Sequence, residues 1–327
     1  MSSYIFFLLR KTINSVISLF LLICLIFILL RLSPGNPAHK FISPEFSPEL
    51  SNRVTESFDL NSSLAEQFYK FVSNTVLFDF GISYIYRQPV MKVIMSFLPF
   101  TIILALTVFI TQLLIAVFLS TVSFLKRGKM PDRILNKISL ILYSTPTYVL
   151  AVLLILLFSV RLGIFPSAGL TSSYSGDTGF FSKISDYAYH LVLPVLTLSL
   201  IGSAFFYKYI RENLEAVSRS PYIVLLSSNG LKERTILIKH ILPNALNPLI
   251  SVSGVELGML LSGALITETI FALPGMGRLA ITAILQRDYP LVIGCTFVSG
   301  FFIILANILS DIVKAVIDKR IKTDLLN

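Results

Sequence analysis

Residues 97–125 read FLPFTIILALTVFITQLLIAVFLSTVSFL, a run without one charged side chain. A bilayer core about 30 Å thick takes roughly 20 apolar residues in helix, and soluble helices seldom supply that. The stretch therefore decides the class of the fold, because it predicts a transmembrane helix with residues to spare. Five further segments reach or approach the same length, at 13–32, 138–160, 191–207, 241–267 and 290–309. The expected fold is all-α: a polytopic transmembrane helical bundle with six spans. Residues 1–32 hold the N-terminus and the first span. Residues 33–96, rich in Pro, Ser and charges of both signs, read as an extracytoplasmic segment with short helices. Residues 97–327 form a five-helix core that includes a cytoplasmic loop at 211–243. Arg10 and Lys11 ahead of an apolar run imitate a signal peptide, but the run is long and no A-x-A-like site follows, so it reads as a retained span.

Composition agrees with this reading. Hydrophobic residues make up 54% of the chain and charged ones 14%, and mean hydropathy is +0.80; soluble domains carry about 25% charge. Lys and Arg concentrate at Arg10 and Lys11, between Lys126 and Lys137, between Lys208 and Lys239, and from Lys314 to Lys322. Positive residues are retained on the cytoplasmic side, so both termini are expected there. The net charge of +9 is then met by anionic lipid heads, and no basic patch interleaved with aromatics points to nucleic acid. Cys24 and Cys295 lie in separate apolar runs with no C-x-x-C spacing, as packing residues do.

Signatures of chemistry are missing. Gly128-Lys129 is followed by Met130 and lacks the upstream glycine of a phosphate loop, so the chain is not expected to split ATP. There is no H-E-x-x-H, no G-x-S-x-G and no carboxylate pair at helical spacing within a span, so we expect no enzyme, no metal site and no cofactor of its own. Within the spans Glu256 is the one clear carboxylate. It reads either as a group lining a pathway or as a paired or protonated group fixing helix packing. Pro146 and Pro194 interrupt their spans and free backbone carbonyls, which line a path or only kink the helix.

The loop at 211–243 is the most informative segment. Ser220 can cap a helix whose first residue is Pro221, and Gly230 suits its left-handed end, giving about two turns. Its body, Tyr222-Ile223-Val224-Leu225-Leu226, is apolar on every side, and Lys232 and Arg234 follow. Such a knob fits a groove on a partner protein, or lies in the lipid interface.

The stretch Asn229-Gly230-Leu231-Lys232-Glu233-Arg234, followed by His240-Ile241-Leu242-Pro243-Asn244-Ala245, resembles the cytoplasmic loop of bacterial ABC importer permeases of the dipeptide, oligopeptide and nickel group. Glu268-Thr269-Ile270-Phe271 with Pro274-Gly275-Met276-Gly277-Arg278-Leu279 is similar to that group's E-x-I-F-x-x-P-G-x-G-R-L, and Arg287-Asp288-Tyr289-Pro290 to its R-D-Y-P. Pro34-Gly35-Asn36-Pro37-Ala38 resembles P-G-D-P-A, and Asp79-Phe80-Gly81-Ile82-Ser83 resembles D-x-G-x-S. The chain departs from the pattern in Ser227-Ser228-Asn229-Gly230 for R-A-K-G, in Val224-Leu225-Leu226 for a more polar stretch, and in Asp318-Lys319-Arg320 for D-P-R.

The resemblance implies a type I ABC importer permease fold, and the long first external segment implies the B-type subunit. It further implies half of a translocation pathway for peptides or a nickel chelate, in the bacterial cytoplasmic membrane. The implied partners are a second permease, two ATP-binding subunits that hold ATP and magnesium, and an extracytoplasmic solute-binding protein. By the same resemblance residues 221–230 form the coupling helix that docks on an ATPase, with Pro221, Tyr222, Ile223, Leu225, Leu226, Gly230, Lys232 and Arg234 as its contact residues. A secondary transporter or channel would need coupling carboxylates or broken half-helices at midplane, where only Glu256 is available, and a membrane enzyme a nucleophile with its base or a metal cluster. The topology predicts that Ser62→Cys and Ser173→Cys are labelled in intact cells by a membrane-impermeant thiol reagent, and Ser228→Cys only after permeabilisation.

Overall fold

The computed structural model describes residues 2–32, 63–172 and 179–317. Helix α1 covers Ser2–Leu32 and α2 Leu64–Val76; α3 is the 36-residue helix Val90–Leu125. Helix α4 is Met130–Ser144, and α5 is Thr147–Leu154 with a π-helical turn at Ile155–Arg161. Helix α6 runs unbroken over Phe180–Ser218, and α7 is Pro221–Ser228. Helix α8, Glu233–Ile236, passes through a π turn at Leu237–Ile241 into α9, Leu242–Leu246. Then come α10 (Leu249–Leu261), α11 (Leu265–Ile270), α12 (Met276–Gln286) and α13 (Tyr289–Ile317). Among the described residues β pairing amounts to the isolated bridge between Ile82 and Pro89.

Among the described residues four helical stretches are long and apolar enough to cross a bilayer: Val90–Leu125, Phe180–Ser218, Leu249–Ile270 and Tyr289–Lys314. The first expected span falls on α1, whose apolar part, Ile13–Leu29, is shorter than those four. The third is not one helix: Met130–Ser144 and Thr147–Arg161 meet at 107°. The fourth far exceeds its expected 191–207, since 39 residues extend about 58 Å. Helix α6 also continues through Pro194, contrary to the expected interruption. Proline removes one backbone bond, and here Pro194 is buried along the α3–α6 packing, which holds the helix across it. The motif at 34–38, Ser62, Ser173 and residues 318–320 lie outside the described residues.

Helix α3 threads three apolar clusters. Its first turns, with Val90, Ile94 and Leu98, pack on α1, α12 and α13; Leu104 and Val108 meet Ala151 of α5 and Leu193 of α6; Ala116 meets Phe206 and Ile210 of α6 and the α7–α10 region. In a bilayer this contact depends on fit rather than on expulsion of water. The glycines show it. A Cβ on Gly254 would stand 2.2 Å from Ser310 Cβ, and one on Gly258 3.0 Å from Ile303 Cα, so the Gly254-x-x-x-Gly258 face lets α10 approach α13 closely. The Ser310 hydroxyl donates to the Ile250 carbonyl at 2.5 Å and that of Ser299 to the Ser262 carbonyl at 3.1 Å, which sets the two helices antiparallel.

Gly254→Val should overpack this contact and destabilise the protein by about 1–3 kcal/mol. Val255→Ala, on the open side of the same turn, should not. Melting of the detergent-solubilised protein distinguishes the two.

Candidate functional site

Helix α7 begins at Ser220, whose backbone is extended as a cap requires, φ −69° and ψ 145°, but whose hydroxyl donates to the Val217 carbonyl at 2.5 Å instead of capping. The expected Ser220 side-chain cap is therefore absent, because the turn from α6 offers that hydroxyl an acceptor. The other end is as the sequence implies. Gly230 has φ +78°, its N–H donates to the Ser227 carbonyl at 3.0 Å, and Leu231 N–H donates to the Leu226 carbonyl at 3.3 Å. This is a Schellman termination, in which the left-handed residue falls to glycine for want of a Cβ.

The helix has two faces. Ile223 is buried among Phe206, Ile210, Leu214, Ile236 and Leu237, with Leu226 and Leu231 packed at the edge of the cluster. Val224 and Leu225 are 57% and 61% exposed, and Tyr222 42%. Pro221, Gly230, Lys232 and Arg234 are exposed as well. The eight residues singled out in the sequence thus divide: Ile223 and Leu226 anchor α7 to its own chain, and Tyr222 and Leu225 stand outward with the basic pair close in sequence. Tyr222 also ties α7 to α9. Its hydroxyl accepts from Asn244 Nδ2 at 3.2 Å and donates to the His240 carbonyl at 3.4 Å, while Asn244 Nδ2 donates to that carbonyl at 2.6 Å.

Immediately before α7 lies a polar network that the sequence reading passed over. The Ser123 hydroxyl donates to Asp132 Oδ1 at 2.5 Å; Tyr207 donates to Ser123 at 2.8 Å; Arg211 Nε donates to Ser123 at 3.2 Å. Asp132 also accepts from the Gly128 N–H at 2.9 Å and from Asn136 Nδ2 at 3.0 Å, with Arg211 Nη2 3.5 Å away. Glu215 joins Arg211 at 3.2 Å and Arg219 at 2.5 Å, and pairs with Arg127. Ends of α3, α4 and α6 are locked together one short turn ahead of α7. The i,i+4 spacings of Arg211, Glu215 and Arg219 and of Asp132 and Asn136 are the local signals of it; Asp132 and Arg211 come together only through the fold.

At the opposite end two of the sequence motifs explain themselves. Glu268, the first residue of the E-x-I-F motif, has no exposed surface. Its carboxylate accepts from the N–H of Arg278, at the start of α12, at 2.9 Å and from that of Ala264, just before α11, at 3.2 Å. A Cβ on Gly275 would lie 2.3 Å from that carboxyl carbon, and one on Gly277 2.6 Å from Leu265 Cα, so both glycines of the P-G-x-G are steric necessities. Asp288, also without exposed surface, accepts from the Leu291 N–H at 3.2 Å, capping α13. Its other oxygen accepts from the Ser83 hydroxyl at 2.6 Å and the Ile85 N–H at 3.1 Å, joining R-D-Y-P to D-x-G-x-S.

Glu256 is half-buried on α10 and its carboxyl faces the wholly buried carboxamide of Gln112. Gly202 of α6 makes room, since a Cβ there would strike Gln112 Oε1. Pro146 is exposed at the α4–α5 bend. Among the described residues no three His, Cys, Asp or Glu side chains are grouped so as to hold a metal ion.

The family model described as "Binding-protein-dependent transport system inner membrane component" matches residues 112–323, and its N-terminal companion matches 4–105. The chain is 32% identical over 323 residues to the oligopeptide transport system permease protein AppB of Bacillus subtilis (strain 168), covering 98% of this chain and 100% of that one. It is 28% identical over 322 residues to the nickel import system permease protein NikB of Staphylococcus aureus (strain MRSA252), covering 98% and 92%. Among solved structures, an inward-facing MetNI methionine ABC transporter shares the fold with a TM-score of 0.54 at 16% identity, over 70% of this chain and 98% of that one.

Arg211→Met should leave Asp132 buried beside no cation and destabilise the protein by about 3–5 kcal/mol. Asp132→Asn in the same background should return part of the loss. A double-mutant cycle on detergent melting is expected to give a coupling of at least about 1 kcal/mol, and additivity would show that the two do not interact.

Proposed function

The chain belongs to the family of binding-protein-dependent transport system inner membrane components, and on that premise we propose that it is one of two permease subunits of an ATP-driven peptide importer. It lies in the bacterial cytoplasmic membrane with both termini and α7 in the cytoplasm. Di- or oligopeptides are the proposed cargo, in line with the name of the Bacillus relative; the Staphylococcus relative makes a nickel chelate the second reading. A second permease completes the pathway, a solute-binding protein delivers cargo beside the 33–96 segment, and two further subunits bind ATP and magnesium.

The observation that carries this reading is the division of α7. A two-turn helix of this kind is marginal alone, yet one face is fixed into the chain's own core while Tyr222, Val224 and Leu225 stand in the open. Burying one such side chain contributes about 1.5–3 kcal/mol, so a groove on an ATPase that covers this face gains affinity from it. Lys232 and Arg234 are then placed to meet acidic groups at its rim. Because α7 is pinned to α6 through Ile223 and to α9 through Tyr222, a push on it moves both. Helix α6 is a rigid lever, and α9 leads directly into α10. Closure of the ATPases would in this way become a rocking of spans.

Leu225→Asp tests the docking. The variant should insert and pair with its sister permease, but lose at least about tenfold in ATPase retention on pull-down and lose uptake in parallel. Ile223→Asp should instead destabilise the permease itself, because its side chain is internal. Wild-type ATPase retention by Leu225→Asp would assign the outer face of α7 to lipid.

A further inference from the structure

The third span is broken at Ser144-Thr145-Pro146, and the break lies deep. Helix α4 runs antiparallel to α6, since Asn136 Oδ1 accepts from the Tyr207 hydroxyl at 3.2 Å and the Ser139 hydroxyl donates to the Ala204 carbonyl at 3.1 Å. Five residues further, about 7.5 Å along the helix, Ser144 comes level with Ser199 of α6. The Ser199 hydroxyl reaches the carbonyl of Val108, at the midpoint of α3, at 3.3 Å. There the chain turns by 107°.

Irregular backbone at this depth is tolerated only where protein covers it or water reaches it, because lipid tails offer no hydrogen bonds. Thr145 partly compensates: its N–H donates to the Leu142 carbonyl at 3.2 Å and its hydroxyl to the Ile141 carbonyl at 2.7 Å. The end of α4 and the start of α5 still present backbone groups beyond those bonds. Within this chain the break is not covered. Ser144 and Pro146 are exposed, and the rings that flank them, Tyr143 and Tyr148, are 61% and 53% exposed, whereas Leu150 and Ala151 on the inner side are buried.

We propose that the strip from Tyr143 to Tyr148 lines the solute path and recognises the amide groups of an extended peptide. The proposal rests on the permease reading above and adds the place and chemistry of recognition. Between Lys137 and Arg161 the chain carries no charge, so the strip offers hydroxyls and backbone donors and acceptors without an ion. Such a surface suits the neutral amide backbone that peptides share whatever their side chains. It leaves a peptide's two terminal charges to groups outside the strip, and it offers no cation to the several carboxylates of a nickel chelate.

The test uses the complete transporter in proteoliposomes, with Cys24 and Cys295 replaced by Ala and a single cysteine introduced. Ser144→Cys should react with a charged, water-soluble methanethiosulfonate at least about tenfold faster than Ala151→Cys. Trialanine presented by the binding protein should slow that reaction severalfold, and nickel should not. Tyr148→Phe, which keeps the ring and removes the hydroxyl, should raise KM for trialanine uptake severalfold while ATPase retention stays at wild-type level. Failure of ATPase co-purification would overturn the importer-subunit reading itself, and absence of any peptide uptake by the parent complex would overturn its peptide cargo. With those intact, an unreactive Ser144→Cys would show the strip sealed against the second permease. Reaction unaffected by trialanine would remove the recognition role. Either result overturns the proposal alone.

Discussion

A polar group inside a bilayer has no water to turn to, and this constraint organises the molecule. Among the described residues the two carboxylates without exposed surface are met by backbone donors. Glu268 takes the N–H groups at the start of α12, and Asp288 those at the start of α13 together with Ser83. Helix starts present unpaired N–H groups and the positive end of the helix dipole, so an anion there satisfies both parties at once. The same pairing joins distant segments: Ser83 and Asp288 are 205 residues apart.

At the α7 end the problem is solved with side chains. Arg211 and Asp132 carry opposite charges into a largely buried position, where Ser123, Asn136 and Tyr207 saturate what the ion pair leaves over. Buried ion pairs contribute little net stability once desolvation is counted, and their better attested use is to specify one arrangement. Here that arrangement is the relative position of the ends of α3, α4 and α6, on which α7 stands. A helix meant to transmit force needs a footing that does not slide, and a directional network supplies it where apolar contact alone would permit register shifts.

Stiffness and weakness are distributed unevenly along the spans. Helix α6 passes through Pro194 without a break because its neighbours hold it on several sides, and it connects the two ends of the molecule as one rod. The third span yields at Pro146, where one side is open. The same residue type thus has opposite outcomes, decided by packing: a proline's missing bond is tolerated in a helix clamped along its length, and becomes a bend where nothing opposes it.

The apolar segments, the all-α class and the short helix at 221–228 were legible in the sequence, because hydropathy, a proline at a helix start and a glycine at its end act within a few residues of where they are written. Gly230 is the clearest case, since its left-handed turn needs no knowledge of the rest of the chain. What the sequence could not decide were matters of contact. Whether Leu226 or Leu225 of α7 faces inward, whether Glu268 is a loop charge or a buried cap, and whether Pro146 or Pro194 breaks its span all depend on which surface arrives opposite. Asp132 and Ser123 look like ordinary loop-flanking polar residues until α6 brings Arg211 and Tyr207 against them. Local chemistry fixed where helices begin and end; burial, which is a property of neighbours far along the chain, fixed what each residue does.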